Sequence, residues 1–134
     1  LMEALMQSLI IWISVMTGLP PSPPPSVTYM TQPEMFEITQ VVGVAAFYDH
    51  NTETVVLPKD FDQLKTLDIS ILVHELVHHL QYRAGLDYEC YGAREALAYD
   101  TQESYLEAAG LSLSLIIGPL LRMVIVTCRP EGTF

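Results

Sequence analysis

The sequence predicts an α+β fold in which a small mixed or antiparallel sheet with a hairpin packs on a helix carrying His-Glu-x-x-His and on a second, glutamate-bearing helix. Three observations predict it. Residues 71 to 82, ILVHELVHHLQY, are apolar at helical spacing. The runs VVGVAAFY and TVVL flank the turn-forming DHNTE, as the arms of a β-hairpin do. The chain has 134 residues, 50% hydrophobic and only 16% charged, which suits one core and is too short for two.

In chain order, residues 1 to 19 place Met2, Leu5, Met6, Leu9, Ile10, Ile13 and Met16 on one face, with Glu3, Gln7 and Ser14 on the other. An amphipathic helix is expected there rather than a signal peptide, because Glu3 opens the segment and no Lys or Arg precedes the apolar run. PPSPPPS, residues 20 to 26, reads as an extended spacer, since successive prolines lack donors and fix φ. The catalytic-core segment is residues 27 to 110. It opens with VTYMT, which alternates like a short strand, and PEMFEIT, which suits a helical turn or short helix. After the hairpin, a helix capped by Asp68 or Ser70 ends at Gly85, and a second runs from near Gly92 to Gly110. Residues 111 to 134 are strongly apolar at first, but Gly118-Pro119 and Arg122 argue for a two-piece helical segment over a membrane span.

The formal charge is −10, with six Lys and Arg in all, which excludes a nucleic-acid partner and repels anionic lipid. Cys90 and Cys128 either form one bridge or stay as buried thiols; a bridge would be worth about 4 kcal/mol in the chain-entropy model. That bridge and the acidic surface favour an extracytoplasmic location.

His74 and His78 are one helical turn apart, so both imidazoles can reach a single ion, and Glu75 lies beside that face as a candidate general base. The pattern arises by chance in about one in a hundred chains of this composition. A catalytic Zn2+ requires a third protein ligand and an open position. No histidine follows His79, so the third ligand is expected to be a carboxylate, or else the site has only two. Glu95, in the apolar setting AREALAY, is the leading candidate over Glu89, Glu103 and Glu107. Such a centre would use zinc to activate water and polarise a carbonyl, with Glu75 moving the proton. The donor to the oxyanion is not readable from spacing; among Tyr91, Tyr99, Tyr105 and Arg94, Tyr99 and Arg94 stand first.

HELVHH followed by REALAY resembles the gluzincin zinc metallopeptidases, and the short chain most resembles the single-domain minigluzincins. The resemblance covers residues 27 to 110. It implies a peptidase with a peptide or protein substrate lying extended along the edge strand, where main-chain pairing gives affinity. Several such enzymes place an Asp four residues after the ligand Glu to brace a histidine. Here Tyr99 stands at that position and Asp100 one later.

Other residues have plainer expected roles. His79 is placed to orient Glu75 or to sit exposed at the rim, the latter favoured. His50 is a turn residue, Trp12 and the methionines at 2, 6 and 16 are core filling, and the C-terminal segment offers a surface for self-association or cleft blocking. The alternative to an enzyme is a latent or zinc-stapled binding module of the same fold, for which Glu75 would be dispensable.

Overall fold

The computed structural model describes residues 1–128; the end of the C-terminal segment, residues 129–134, lies outside the described residues. The described chain is α+β, with five α-helices and one three-stranded mixed sheet. The elements are α1 (Met2–Thr17), β1 (Ser26–Met30), α2 (Gln32–Thr39), β2 (Phe47–Asp49), β3 (Thr54–Pro58), α3 (Thr66–Arg83), α4 (Tyr91–Ala108) and α5 (Pro119–Val126), with a 3-10 turn at Leu113–Leu115.

The sheet order is β1-β3-β2, with β1 parallel and β2 antiparallel to β3. The central strand TVVLP buries Val55, Val56 and Leu57, a continuous apolar run suited to a strand covered on both faces. The hairpin forms as expected, but its first arm is shorter than VVGVAAFY. Phe47 pairs with Val56, and continuing that register sets Ala45 opposite Pro58, which has no N–H to give. Beyond it β3 turns away, so residues 41 to 46 have no ladder to join, and Val42 is 85% exposed.

The core lies between α1, α3, α4 and the sheet. Leu72, Val73, Leu76, Val77 and Leu80 of α3 are fully buried against Ile10 and Ile13 of α1, Val55 and Leu57 of β3 and Ala98 of α4. Met2 and Met6 pack into it, whereas Met16 is exposed, because α1 turns its last residues to solvent. Trp12 is half-buried, edge-on to Tyr105 of α4 with centroids 5.5 Å apart.

Neither expected cap operates at the start of α3. Lys65 is the N-cap and no side chain caps it. Asp68 accepts instead from the backbone N–H of Asp62, and the Ser70 hydroxyl donates to the Leu67 carbonyl, leaving its lone pairs for another partner. α2 has the full capping box, Thr31 accepting from Glu34 N–H while Glu34 accepts from Thr31 N–H. The proline-rich connector is irregular as expected, yet it is more than a spacer, for the Pro23 carbonyl accepts from buried His79. Cys90 and Cys128 form a disulfide. No helix among the described residues is long and apolar enough to cross a membrane.

Leu76→Ala is expected to lower unfolding free energy by about 2–5 kcal/mol, since the cavity left at a fully buried site adds to the lost transfer energy. Val42→Ala should cost under about 0.5 kcal/mol. Urea denaturation of the two variants checks the ranking.

Candidate metal centre

The loop between α3 and α4 folds α4 back along α3, and this brings Glu95 over the turn of α3 that carries His74 and His78. The two imidazoles stand edge to face, centroids 5.0 Å apart. His74 Nε2 lies 3.1 Å from Glu95 Oε1, and His78 Nε2 lies against Oε2. One ligand atom from each of the three residues falls within 4.8 Å of the others, so the group can hold a metal ion. His74 and Glu95 are buried and His78 is half-buried.

The protonation of both rings follows from groups behind them. Gln81 Nε2 is 3.1 Å from the Arg94 carbonyl, which can only accept, so the Oε1 end of that amide faces His78 Nδ1 at 2.8 Å. His78 must therefore carry its proton on Nδ1. The Ser70 hydroxyl, already donating to Leu67, accepts from Gln102 Nε2 at 3.3 Å. Gln102 Oε1 is thus turned to His74 Nδ1 at 3.0 Å, and that nitrogen too is the donor. Both rings then present unprotonated Nε2 atoms to a carboxylate. Three lone-pair centres facing one another repel unless a cation or a proton lies between them, and two imidazoles with one carboxylate suit a divalent metal.

The charges agree with this arrangement. Burial raises the Glu95 carboxyl, but the two imidazoles outweigh that and hold it down at about 2 when a proton rather than an ion lies between them. Burial alone would lower His78; Glu95 and Glu75 outweigh it and hold it up. Glu75 is displaced the other way: burial pushes its carboxyl up, and the neighbouring histidines offset this only in part. It lines the same cleft, a cavity of about 670 Å³.

The remaining candidates separate cleanly. Tyr99 stacks edge-on to His74, centroids 4.6 Å apart, and its phenol is pushed up to about 12 by burial and then by Glu95, so it stays a neutral donor. Arg94 and Tyr91 line the cleft together, the guanidinium 5.3 Å from the ring centroid. Tyr105 lies on the other side of α4, in the core beside Trp12. Glu89 and Glu107 are exposed, and Glu103 pairs with Arg122. His50 is an exposed turn residue stacked on Tyr82.

His79 neither sits at the rim nor orients Glu75. It is 1% exposed, donates from Nε2 to the Pro23 carbonyl and accepts at Nδ1 from the Tyr48 hydroxyl at 2.8 Å, so both nitrogens are committed. One residue past His78 is about 100° around the helix, enough to turn it from the cleft. Gln81 and Gln102, which brace the two histidines, are absent from the candidates that motif spacing supplies. Gln102 follows Glu95 by seven residues, two helical turns, rather than the four at which the gluzincin resemblance places a bracing Asp. The usable signal is weak: an uncharged polar residue on the buried face of each helix.

The fold and site together define a small α+β protein with a candidate two-histidine, one-glutamate metal centre. The chain belongs to the family described as Domain of unknown function (DUF6647), whose model matches residues 1–126. No curated protein and no solved structure matches it.

Gln81→Leu and Gln102→Leu are each expected to weaken metal binding about 10–100-fold, the usual effect of losing a partner that orients a ligating histidine. Competition against a chromophoric chelator checks this, with the exposed Glu107→Gln as the unaffected control.

Proposed function

We propose that the protein is a zinc-dependent metallopeptidase of gluzincin type. The single observation that carries this reading is the convergence of His74 Nε2, His78 Nε2 and the Glu95 carboxylate in a cleft that also holds the displaced carboxyl of Glu75. His74, His78 and Glu95 would hold the ion, their donor set matching catalytic zinc, which keeps one position open. Zinc there would supply Lewis acidity, polarising a carbonyl and making water nucleophilic near neutral pH.

The chain's own groups do the rest. Glu75, whose carboxyl burial pushes up, takes the proton from the attacking water and delivers it to the leaving amine. Tyr99, kept neutral, and Arg94 at the rim are the donors available to developing negative charge on the substrate oxygen. Gln81 and Gln102 keep the two rings fixed through the cycle. Strand β2 is an edge strand that borders the cleft through Phe47 and Tyr48, so an extended peptide can add to it by main-chain pairing.

Glu75→Gln is expected to keep zinc at one per chain and to abolish cleavage of an unbiased peptide library by at least about 10²-fold, the usual contribution of a general base. His78→Ala should lose both. Zinc content by atomic absorption and mass-spectrometric cleavage profiles check the pair; wild type holding zinc without any cleavage would favour a zinc-stapled binding module instead.

A further inference from the structure

Most basic side chains of this chain are paired. Against 16 Asp and Glu there are six Lys and Arg, so a cation seldom lacks a carboxylate within reach. Lys59 pairs with Glu34, Arg83 with Glu53, and Arg122 with both Asp100 and Glu103. Among the described residues, Lys65 and Arg94 have no such partner. Lys65 is exposed at the N-cap of α3 and is not part of the cleft lining. Arg94 is exposed within the cleft and is the one Lys or Arg that lines it.

Two contacts fix where that guanidinium stands. The Arg94 carbonyl accepts from Gln81 Nε2 at 3.1 Å, the amide that braces His78, so the Arg94 backbone is set relative to the metal centre. Its guanidinium lies 5.3 Å from the centroid of the Tyr91 ring, one helical turn back, a contact with the ring face that leaves the N–H donors for another partner. Leu86, Tyr91 and Arg94 line both the cleft and a smaller cavity of about 290 Å³, which Asp87, Tyr88 and Cys90 of the loop from α3 to α4 complete. Arg94 therefore stands at the end of the cleft that this loop bounds. Tyr99, the other donor bordering the cleft, stacks instead on His74, so the two donors face different parts of a bound chain. A planar guanidinium with uncommitted donors matches the two oxygens of a carboxylate. At a bounded end of a peptide cleft, the carboxylate that arrives is the one that ends the chain.

We propose that Arg94 anchors the free C-terminal carboxylate of the substrate, so that the protein acts as a carboxypeptidase on peptides with an unblocked C-terminus. Hydrolysis adds the hydroxyl of water to the scissile carbonyl carbon and its proton to the leaving nitrogen. The short C-terminal fragment then departs with its own carboxylate unchanged. The inference rests on the metallopeptidase reading and deepens it to substrate class.

The test is calorimetric binding of four probes to the zinc-loaded full chain. One is acetohydroxamate. The others are a malonyl hydroxamate joined to leucine, to leucinamide, and to glutamic acid α-amide, whose one carboxylate is on the side chain. The leucine probe is expected to bind at least about tenfold tighter than the leucinamide probe, the scale of a charge-assisted hydrogen-bonded pair. The glutamic acid α-amide probe should gain less than about twofold over leucinamide. Arg94→Gln should bring the leucine-to-leucinamide ratio within about twofold while zinc content holds, because the backbone carbonyl that orients Gln81 is kept. Arg94→Met should do the same and decides the matter if Arg94→Gln fails to retain zinc. A smaller wild-type ratio, a ratio unchanged in a variant that retains zinc, an equal gain by the side-chain carboxylate, or loss of zinc from both variants overturns the anchor and leaves the metallopeptidase reading standing. Failure of acetohydroxamate to bind zinc-loaded wild type overturns that reading, and the anchor with it.

Discussion

Two glutamine amides behind two histidines are the constraint on which the centre depends. Each amide is itself oriented by a group with no freedom, the Arg94 carbonyl for Gln81 and the already donating Ser70 hydroxyl for Gln102. The consequence passes forward: oxygen faces Nδ1, Nδ1 is protonated, and Nε2 is left bare toward Glu95. A buried amide tolerates no reversal here, since turning it would set N–H against N–H and leave a carbonyl without its donor. The ligating state of both rings is therefore built into the folded chain, which lowers the reorganisation needed to bind a metal.

The rest of the fold serves to hold α3 and α4 in this relation. α3 is apolar around most of its circumference because it packs on α1, the sheet and α4 at once, and its polar interruptions are the site residues and their braces. His79 belongs to the same scheme from the opposite side. It ties the proline-rich connector and, through Tyr48, the edge strand to the helix that carries the ligands, so the bordering strand is positioned relative to the centre by a hydrogen-bond chain rather than by packing alone. The C-terminal segment is joined differently, by a disulfide, ion pairs and one close backbone approach, as suits an element that shapes the cleft without belonging to the core.

The α+β class, the two long helices and the hairpin are legible in the sequence because they rest on local periodicity and turn chemistry. His74 and His78 are legible from their i, i+4 spacing, and Glu95 as an acidic residue in an apolar helical setting. What is not legible depends on long-range register. The hairpin arm stops short because Pro58 arrives opposite Ala45, which only the pairing reveals. His79 reads as polar and adjacent to the motif, yet its partners lie 31 and 56 residues away in sequence. Gln102 is hidden for the same reason, its partner His74 lying 28 residues away, whereas Gln81 stands one turn after His78 and is oriented only by the Arg94 carbonyl of the second helix. An amide does not announce itself as a histidine partner until the second helix has been placed. Cys90 and Cys128 allow a bridge from the sequence, and only the docking of α5 brings them together.

His74, His78 and Glu95 form one candidate metal centre, with both imidazoles turned to it through Nε2. X-ray absorption at the zinc edge of the metal-loaded protein tests it most directly. The expected result is a first shell of low coordination number with nitrogen and oxygen at about 2.0–2.2 Å, outer-shell scattering from two imidazoles and no sulfur, all lost in the His74→Ala, His78→Ala double variant. Zinc retained at full stoichiometry by that variant, or a first shell containing sulfur, would contradict it.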